Sequence, residues 1–234
     1  MLTLALDTSS AAGSAAVVRD GRVVIERAGD GSRTHGERLP VELMAVLRDA
    51  GVTVKDVDRL AVAVGPGSFT GLRVGIATIQ GLAVALGTHV TPVSTFEALA
   101  WHARDNADAV ATWIDAHRGE VFATLFTRDG RTTIEAPSSL PPAATLDAWS
   151  PALAPLARVR WLGDGAVRYR DVIEARLGSR AAIDAAPPLI AGAIGLIADA
   201  EPDRAVRPHA LVPLYVRRSD AELARDRRET TPKA

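Results

Sequence analysis

Leu4-Ala5-Leu6-Asp7 closes a short apolar run, and Arg19-Asp20-Gly21-Arg22 begins 12 residues after its aspartate; Thr112-Trp113-Ile114-Asp115 repeats the pattern, with Arg128-Asp129-Gly130-Arg131 beginning 13 residues after Asp115. Between each aspartate and its Arg-Asp-Gly-Arg lies a β-prone run, Ser14 to Val18 in the first copy and Glu120 to Phe126 in the second. Asp-Gly between two such runs is a strong hairpin signal, because glycine takes the positive φ of a type I′ turn at little cost. The recurrence of one tetrapeptide in the same strand–Asp–strand–turn arrangement predicts a duplicated β-meander.

The intervening sequence supplies helices. Thr34-His35-Gly36-Glu37 has capping-box spacing, and Leu39, Leu43, Val46 and Leu47 after it share one helical face, with Gly51 placed as a C-terminal stop. Leu60 to Val64 reads as a buried strand, and the glycine-rich turn Gly65-Pro66-Gly67-Ser68-Phe69-Thr70-Gly71 leads into a helix over 72–86. After a strand over 90–93, a second capping box, Ser94-Thr95-Phe96-Glu97, opens a helix to Arg104. The second half is less patterned. Residues 137–155 read as an irregular excursion with one short helix, 159–162 as a strand, 163–177 as a Gly163-Asp164-Gly165 turn with one helix, and 187–200 as an apolar helix. The expected units are residues 1–106, 107–218 and a charged tail, 219–234.

Composition narrows the class without naming the chemistry. The 234 residues are 47% hydrophobic and 24% charged, which is globular composition. A formal net charge of −1 argues against a chain that grips nucleic acid unaided, although a partner can supply a basic surface. The absence of cysteine excludes disulfides, thiol catalysis and cysteine-ligated zinc. No uninterrupted apolar run reaches about 18 residues, and no basic segment precedes the first apolar stretch, so neither a membrane span nor a signal peptide is expected. A cytoplasmic location follows as an expectation.

A duplicated meander whose halves both open on strand–Asp resembles the actin, sugar-kinase and heat-shock ATPase superfamily, an α/β fold. Within it, Leu4-Ala5-Leu6-Asp7-Thr8-Ser9, Thr34-His35-Gly36-Glu37-Arg38-Leu39, Gly65 to Gly75, Asp115-Ala116-His117-Arg118-Gly119-Glu120-Val121-Phe122 and Pro213-Leu214-Tyr215-Val216-Arg217 resemble, in order, the TsaB (YeaZ) family. The resemblance implies a non-catalytic subunit that pairs with the catalytic subunit TsaD and the ATPase TsaE. That complex makes N6-threonylcarbamoyladenosine beside the anticodon of ANN-decoding tRNAs. The resemblance also implies homodimers when TsaD is absent, with the helices at 37–50 and 72–86 as the meeting surface. The interface residues so implied are Glu37, Leu39, Leu43, Phe69, Thr70, Gly71, Arg73, Val74, Gly75 and Thr78.

The residues themselves carry little catalytic chemistry. In the catalytic relative a His-x-x-x-His helix holds a metal, and Thr95 and Leu99 stand at the two corresponding positions here. The histidines, at 35, 89, 102, 117 and 209, form neither that motif nor His-Glu-x-x-His, so no metal or other cofactor is expected and a peptidase reading is remote. Asp7, Thr8, Ser9, Gly163 and Gly165 occupy the positions of a vestigial nucleotide site. Yet Thr8-Ser9-Ser10 lacks the glycine a phosphate cradle wants, and Asp7 with Ser9 can simply cap the first turn. A stand-alone ATP-dependent kinase or ATPase is the alternative function. Gly71 and Gly75, four apart, bare one helix face to the core or to a partner. Phe69 and Arg73 are residue types enriched at interface hot spots. His117 and Glu120 lack a nucleophile to act upon.

Overall fold

In the computed structural model, which describes residues 1–103 and 107–217, the two halves share one topology. The first half runs β1 (Leu2–Asp7), β2 (Ser14–Arg19), β3 (Arg22–Ala28), α1 (His35–Asp49), β4 (Arg59–Gly65), α2 (Phe69–Leu86), β5 (Val90–Ser94) and α3 (Thr95–Trp101). Its sheet has the order β3-β2-β1-β4-β5. The second half runs β6 (Ala109–Asp115), β7 (Val121–Thr127), β8 (Thr133–Leu140), α4 (Pro142–Ala148), α5 (Ser150–Leu153), β9 (Val159–Leu162), α6 (Asp164–Arg168), α7 (Arg170–Leu177), β10 (Ala181–Ile183) and α8 (Ala191–Ala200). Its sheet has the order β10-β9-β6-β7-β8, the same pattern strand for strand. In each, the meander is antiparallel and the two later strands join in parallel.

The layers follow from side-chain alternation. Leu2, Leu4 and Leu6 of β1 point outward beneath α1 and α2, while Ala5 faces the middle of the molecule. In β6, Ala109, Ala111 and Trp113 likewise face the outer helices of the second half, and Val110 and Ile114 face inward. Between the sheets lie α3 and α8, which touch each other and the strands of the first sheet; α3 also reaches β6. Small residues dominate this central layer, with Ala191, Ala193 and Ala198 of α8 set against Ala5, Ala16 and Ala61. The amides at the start of α8 are taken up by Ser14 Oγ (3.1 Å, from Ala191) and Glu26 Oε1 (2.8 Å, from Gly192), satisfying groups a helix end leaves open. A second core holds Trp113, Trp149 and Trp161 in mutual ring contact.

Local signals set several elements where the sequence places them. Asp20 (φ 50°) and Gly21 (φ 71°) both take left-handed backbone, as a type I′ hairpin requires. Both capping boxes form: Glu37 Oε2 accepts from the Thr34 amide (2.9 Å) and Glu97 Oε2 from the Ser94 amide (3.0 Å).

Other expectations are corrected. The stretch around Pro137 lies within β8, an edge strand whose register against β7 shifts between Ser138 and Glu135, the kind of edge position and bulge at which a sheet tolerates proline. Two short helices, α4 and α5, follow instead of one. The helix expected to 177 breaks at Tyr169 (φ −107°, ψ 28°) into α6 and α7, and the apolar helix starts at Ala191 rather than 187. β10 was not anticipated. The glycine-rich helix begins at Phe69 rather than 72, capped by Ser68; its 18 residues are apolar on average and long enough to cross a membrane by length and composition, but the run is interrupted by Thr70, Arg73, Thr78 and Gln80, and one face packs on the first sheet. α3 ends at Trp101, and Arg104, the boundary at 106 and the tail 219–234 lie outside the described residues.

Candidate functional site

Three features converge at the top of the first sheet: the β1–β2 turn, the N-terminus of α2 and the first turn of α1. Asp7 ends β1 buried, with Oδ1 accepting from the Ser9 amide (2.8 Å). Asp115 ends β6 with the same local bond, accepting from the His117 amide (3.1 Å), so the duplicated aspartates close duplicated turns. Burial pushes the Asp7 carboxyl above its ordinary range, against the lowering effect of Ser9. The Ser9 carbonyl accepts from the Ser68 amide (2.7 Å), and Ser68 Oγ accepts from the Gly71 amide (3.2 Å). Two of the amides an anion would seek at this helix start are therefore engaged by the chain itself.

The bare glycine face looks inward. A β-carbon on Gly71 would strike the Thr8 carbonyl, and one on Gly75 would strike the Thr8 hydroxyl. These glycines let α2 lie directly on the first turn, so their place is intramolecular rather than on an outer surface. Gly163 and Gly165 do the equivalent in the second half, where β-carbons would meet the backbone of Trp113 and Ile114. Between them, Asp164 Oδ1 accepts from the Asp115 and Gly165 amides (2.9 and 2.8 Å), and burial raises its carboxyl's proton affinity.

On the other side of the β1–β2 turn stand His35 and Arg38. Arg38, only 3% exposed, donates to the carbonyls of Ala11 (2.9 Å) and Ala12 (2.6 Å), to Glu42 Oε2 (2.6 Å) and to His35 Nδ1 (2.8 Å). A guanidinium has no acceptor, so His35 Nδ1 must be bare and its Nε2–H donates to the Ser10 carbonyl (2.9 Å). Burial first, and Arg38 second, hold the His35 imidazole below its ordinary proton affinity, against a raising contribution from Ser10. A folded-state value below the ordinary histidine value of about 6.5 means the native state binds fewer protons there than the unfolded chain. This stabilisation is complete above pH 6.5 or so and is lost as the pH falls toward the folded value, at most about 1.4 kcal/mol per pH unit for one proton. In urea titrations from pH 7.5 to 5, His35→Gln should lose less stability toward pH 5 than the parent, read as the difference between the two because Asp7 and Asp164, raised by burial, contribute with the opposite sign. His102, lowered by burial, adds a parallel contribution that the variant leaves in place.

Of the residues expected at an interface, Leu39 and Leu43 are core, packed under the first sheet with Leu4 and Leu6. Glu37 is exposed but engaged in its capping box. The outer face of α2 carries Phe69, Thr70, Arg73, Ala77, Gly81, Val84 and Ala85 exposed, with Val74 and Thr78 half-buried beside them. Six residues of α2 are buried, Gly71, Leu72, Gly75, Ile76, Ile79 and Ala83, all on the opposite side. On neighbouring α1, Val41 (73% exposed) and Met44 stand out, matching Val84 (73%) on α2. Sequence reading missed Val41, Met44 and Val84; the signal was apolar residues lying off the stripe that defined the core face.

Between the halves a cleft of about 380 Å³ is lined by residues 66–70, Leu72, Asp115 to His117, Phe122 and Leu214 to Arg217. The late segment is tied across it: the Leu214 amide donates to the Val64 carbonyl (2.7 Å), while Arg217 donates to Glu120 Oε2 (3.0 Å) and the Ala116 carbonyl (3.1 Å). Glu120 Oε2 accepts from Ser139 Oγ (2.8 Å) as well as from Arg217, and His117 Nδ1 lies 3.5 Å from Asp115, so both side chains are engaged in local structural contacts. Thr95 and Leu99 are buried in α3, and among the described residues no three His, Cys, Asp or Glu side chains gather as metal ligands.

This architecture is similar to known proteins along nearly its whole length. A family model described as TsaD, tRNA N6-adenosine threonylcarbamoyltransferase, matches residues 25–156. The tRNA threonylcarbamoyladenosine biosynthesis protein TsaB of Bacillus subtilis is 29% identical, covering 95% of this chain and 96% of its own. The solved structure of YeaZ from Pseudomonas aeruginosa is 32% identical, covers 92% of this chain and 99% of its own, and superposes with a TM-score of 0.74. The chain belongs to the TsaB (YeaZ) family. Its fold is that of the actin-like and sugar-kinase superfamily; an activator of 2-hydroxyisocaproyl-CoA dehydratase from Clostridium difficile, 10% identical over 87% of this chain and 96% of its own, shares that fold at a TM-score of 0.53. For a TsaB-family chain the position of Thr95 and Leu99 matters: Thr95 is buried, and Leu99 packs into the central layer beside Gly163. Neither offers an imidazole.

Proposed function

We propose that this chain is a non-catalytic cytoplasmic subunit of the tRNA threonylcarbamoyladenosine machinery, pairing with TsaD, cooperating with TsaE, and forming a homodimer when TsaD is absent. tRNA is engaged through the complex. The observation that supports the reading is the apolar outer face of α1 and α2. Val41, Met44 and Val84 project from helices whose inner faces are already packed, and Ala77, Gly81 and Ala85 between them permit close helix approach. A β-carbon at Gly81 would meet nothing, so this glycine has no intramolecular reason to be small. Exposed apolar side chains on two neighbouring helices are the kind of surface a protein interface uses.

The decisive experiment is reconstitution with TsaD from the same source. The chain alone should transfer no threonylcarbamoyl group, and TsaD activity should fall when the chain is withheld. Val84→Glu should weaken pairing at least tenfold, about 1.4 kcal/mol, because it buries a charge in the contact. Its thermal midpoint should stay near that of the parent, since Val84 touches little of its own chain. Unimpaired pairing of Val84→Glu and of Met44→Glu would refute this surface.

A further inference from the structure

Phe69 and Tyr215 form a tilted pair of rings lining the cleft between the halves. Their ring centroids are 5.4 Å apart with planes tilted by 31°, and both remain open, at 41% and 42% exposure. The Arg73 guanidinium lies 3.8 Å from the centre of the Phe69 ring and its Nε donates to the Tyr215 hydroxyl (3.0 Å). Across the cleft, the β6–β7 turn holds His117 and Arg118 in left-handed backbone, φ 58° and 55°, with His117 projecting into solvent. Arg168 is exposed, reaching Asp115 at 3.4 Å, and Arg217 lies 5.7 Å from the Phe122 ring while pairing with Glu120. Three guanidiniums, those of Arg73, Arg168 and Arg217, thus stand by the opening against two partly buried carboxylates, Asp115 and Glu120.

We infer that this cleft receives an unpaired base of an RNA loop, stacked on the Phe69–Tyr215 pair, with a flanking phosphate met by Arg168. The inference rests on the tRNA-modification reading above for the identity of the nucleic acid. Three observations favour RNA over a second protein. Exposed planar rings accept any base face, and base–aromatic stacking is the common currency of single-strand recognition. The placed side chains at the rim carry three guanidiniums against two carboxylates, a local positive excess in a chain that as a whole carries −1. The apolar anchors suited to a protein partner lie further along α2 and on α1, around Val41, Met44 and Val84.

The test uses the full chain and a fluorescein-labelled anticodon stem-loop with an ANN anticodon, followed by anisotropy across a salt series. A blunt RNA duplex of equal length is the control. The stem-loop should bind more tightly than the duplex. Tyr215→Ala should weaken stem-loop binding about tenfold, while Tyr215→Phe, which keeps the ring and loses the hydroxyl, should bind nearly as the parent does. Arg168→Gln should reduce the slope of log affinity against log salt by about 1. Association of Tyr215→Ala with TsaD, followed separately by size exclusion, should be unchanged. Equal affinity for duplex and stem-loop, no detectable binding at low salt, or parental affinity in Tyr215→Ala would each overturn the base site. Loss of TsaD association in Tyr215→Ala would instead assign the cleft to the protein partner. A failure of the tRNA reading itself would appear as intact stem-loop binding with no requirement for this chain in modification.

Discussion

Gly75→Leu should lower the stability of the isolated chain by about 2 kcal/mol or more, with no partner present. The new side chain enters where the Thr8 hydroxyl already sits, on a turn pinned by Asp7 from one side and by His35 and Arg38 from the other. Overpacking of a well-filled site costs about 1–3 kcal/mol and sometimes more. Replacing a mid-helix glycine returns about 0.8 kcal/mol of helix propensity, too little to cancel it. Urea denaturation of the monomer gives the measurement. Gly75→Ala with Thr8→Ala separates packing from partner contact, because Thr8 Oγ1 is buried without a hydrogen-bond partner and its removal opens space while exposing no lost bond. The double variant should be more stable than the sum of the single changes predicts, by about 1 kcal/mol, as expected for residues in direct contact. Additive changes, or a stable Gly75→Leu monomer that fails only in pairing, would place this glycine at the intersubunit surface after all.

The contrast between Gly75 and Gly81 also explains what the sequence made legible. Both lie on one apolar helix, six residues apart, and composition treats them alike. Only the placement of Thr8 beneath one and open space above the other tells them apart. Helical periodicity identified Leu39 and Leu43 as one stripe, but a core stripe and a partner stripe obey the same spacing, so periodicity alone could not assign the stripe to the interior. The duplicated meander was readable because its turns need positive φ at Asp20, Gly21 and Gly130 and therefore advertise themselves chemically. The capping boxes were readable because both partners of each bond lie three residues apart. β8 was hidden because Pro137, Ser138 and Ser139 have turn chemistry, and pairing with β7 outweighs that local preference. The break at Tyr169 has no glycine or proline to announce it. The cleft was equally hidden, since Phe69 and Tyr215 are 146 positions apart and meet only when the late segment crosses from β4 to the β6–β7 turn.

Arg38→Met should destabilise the chain by about 3 kcal/mol, the lower end of what removing one partner from a buried charged network costs. Methionine fills much of the same volume, so the loss is electrostatic and hydrogen-bonding rather than steric. Without the guanidinium, the carbonyls of Ala11 and Ala12, the Glu42 carboxylate and His35 Nδ1 all lose a donor. Water reaches Ala11 and the half-buried Glu42, which limits the cost, but it does not reach His35 Nδ1 as readily. Arg38→Lys should recover less than half of the loss, because one ammonium cannot span acceptors placed for a planar fork. The damage should spread in a definite order. The β1–β2 turn loosens first, then the Ser9–Ser68 bond that seats the start of α2, so amide exchange should quicken over residues 8–13 and 68–71 before it does in β4. Because the apolar outer faces of α1 and α2 are held in register by that seat, TsaD pairing should weaken in Arg38→Met even though Arg38 itself is buried beneath the surface. A variant that keeps parental exchange in the turn yet loses stability would show that Arg38 acts through α1 alone and that the turn is held by the glycine face of α2.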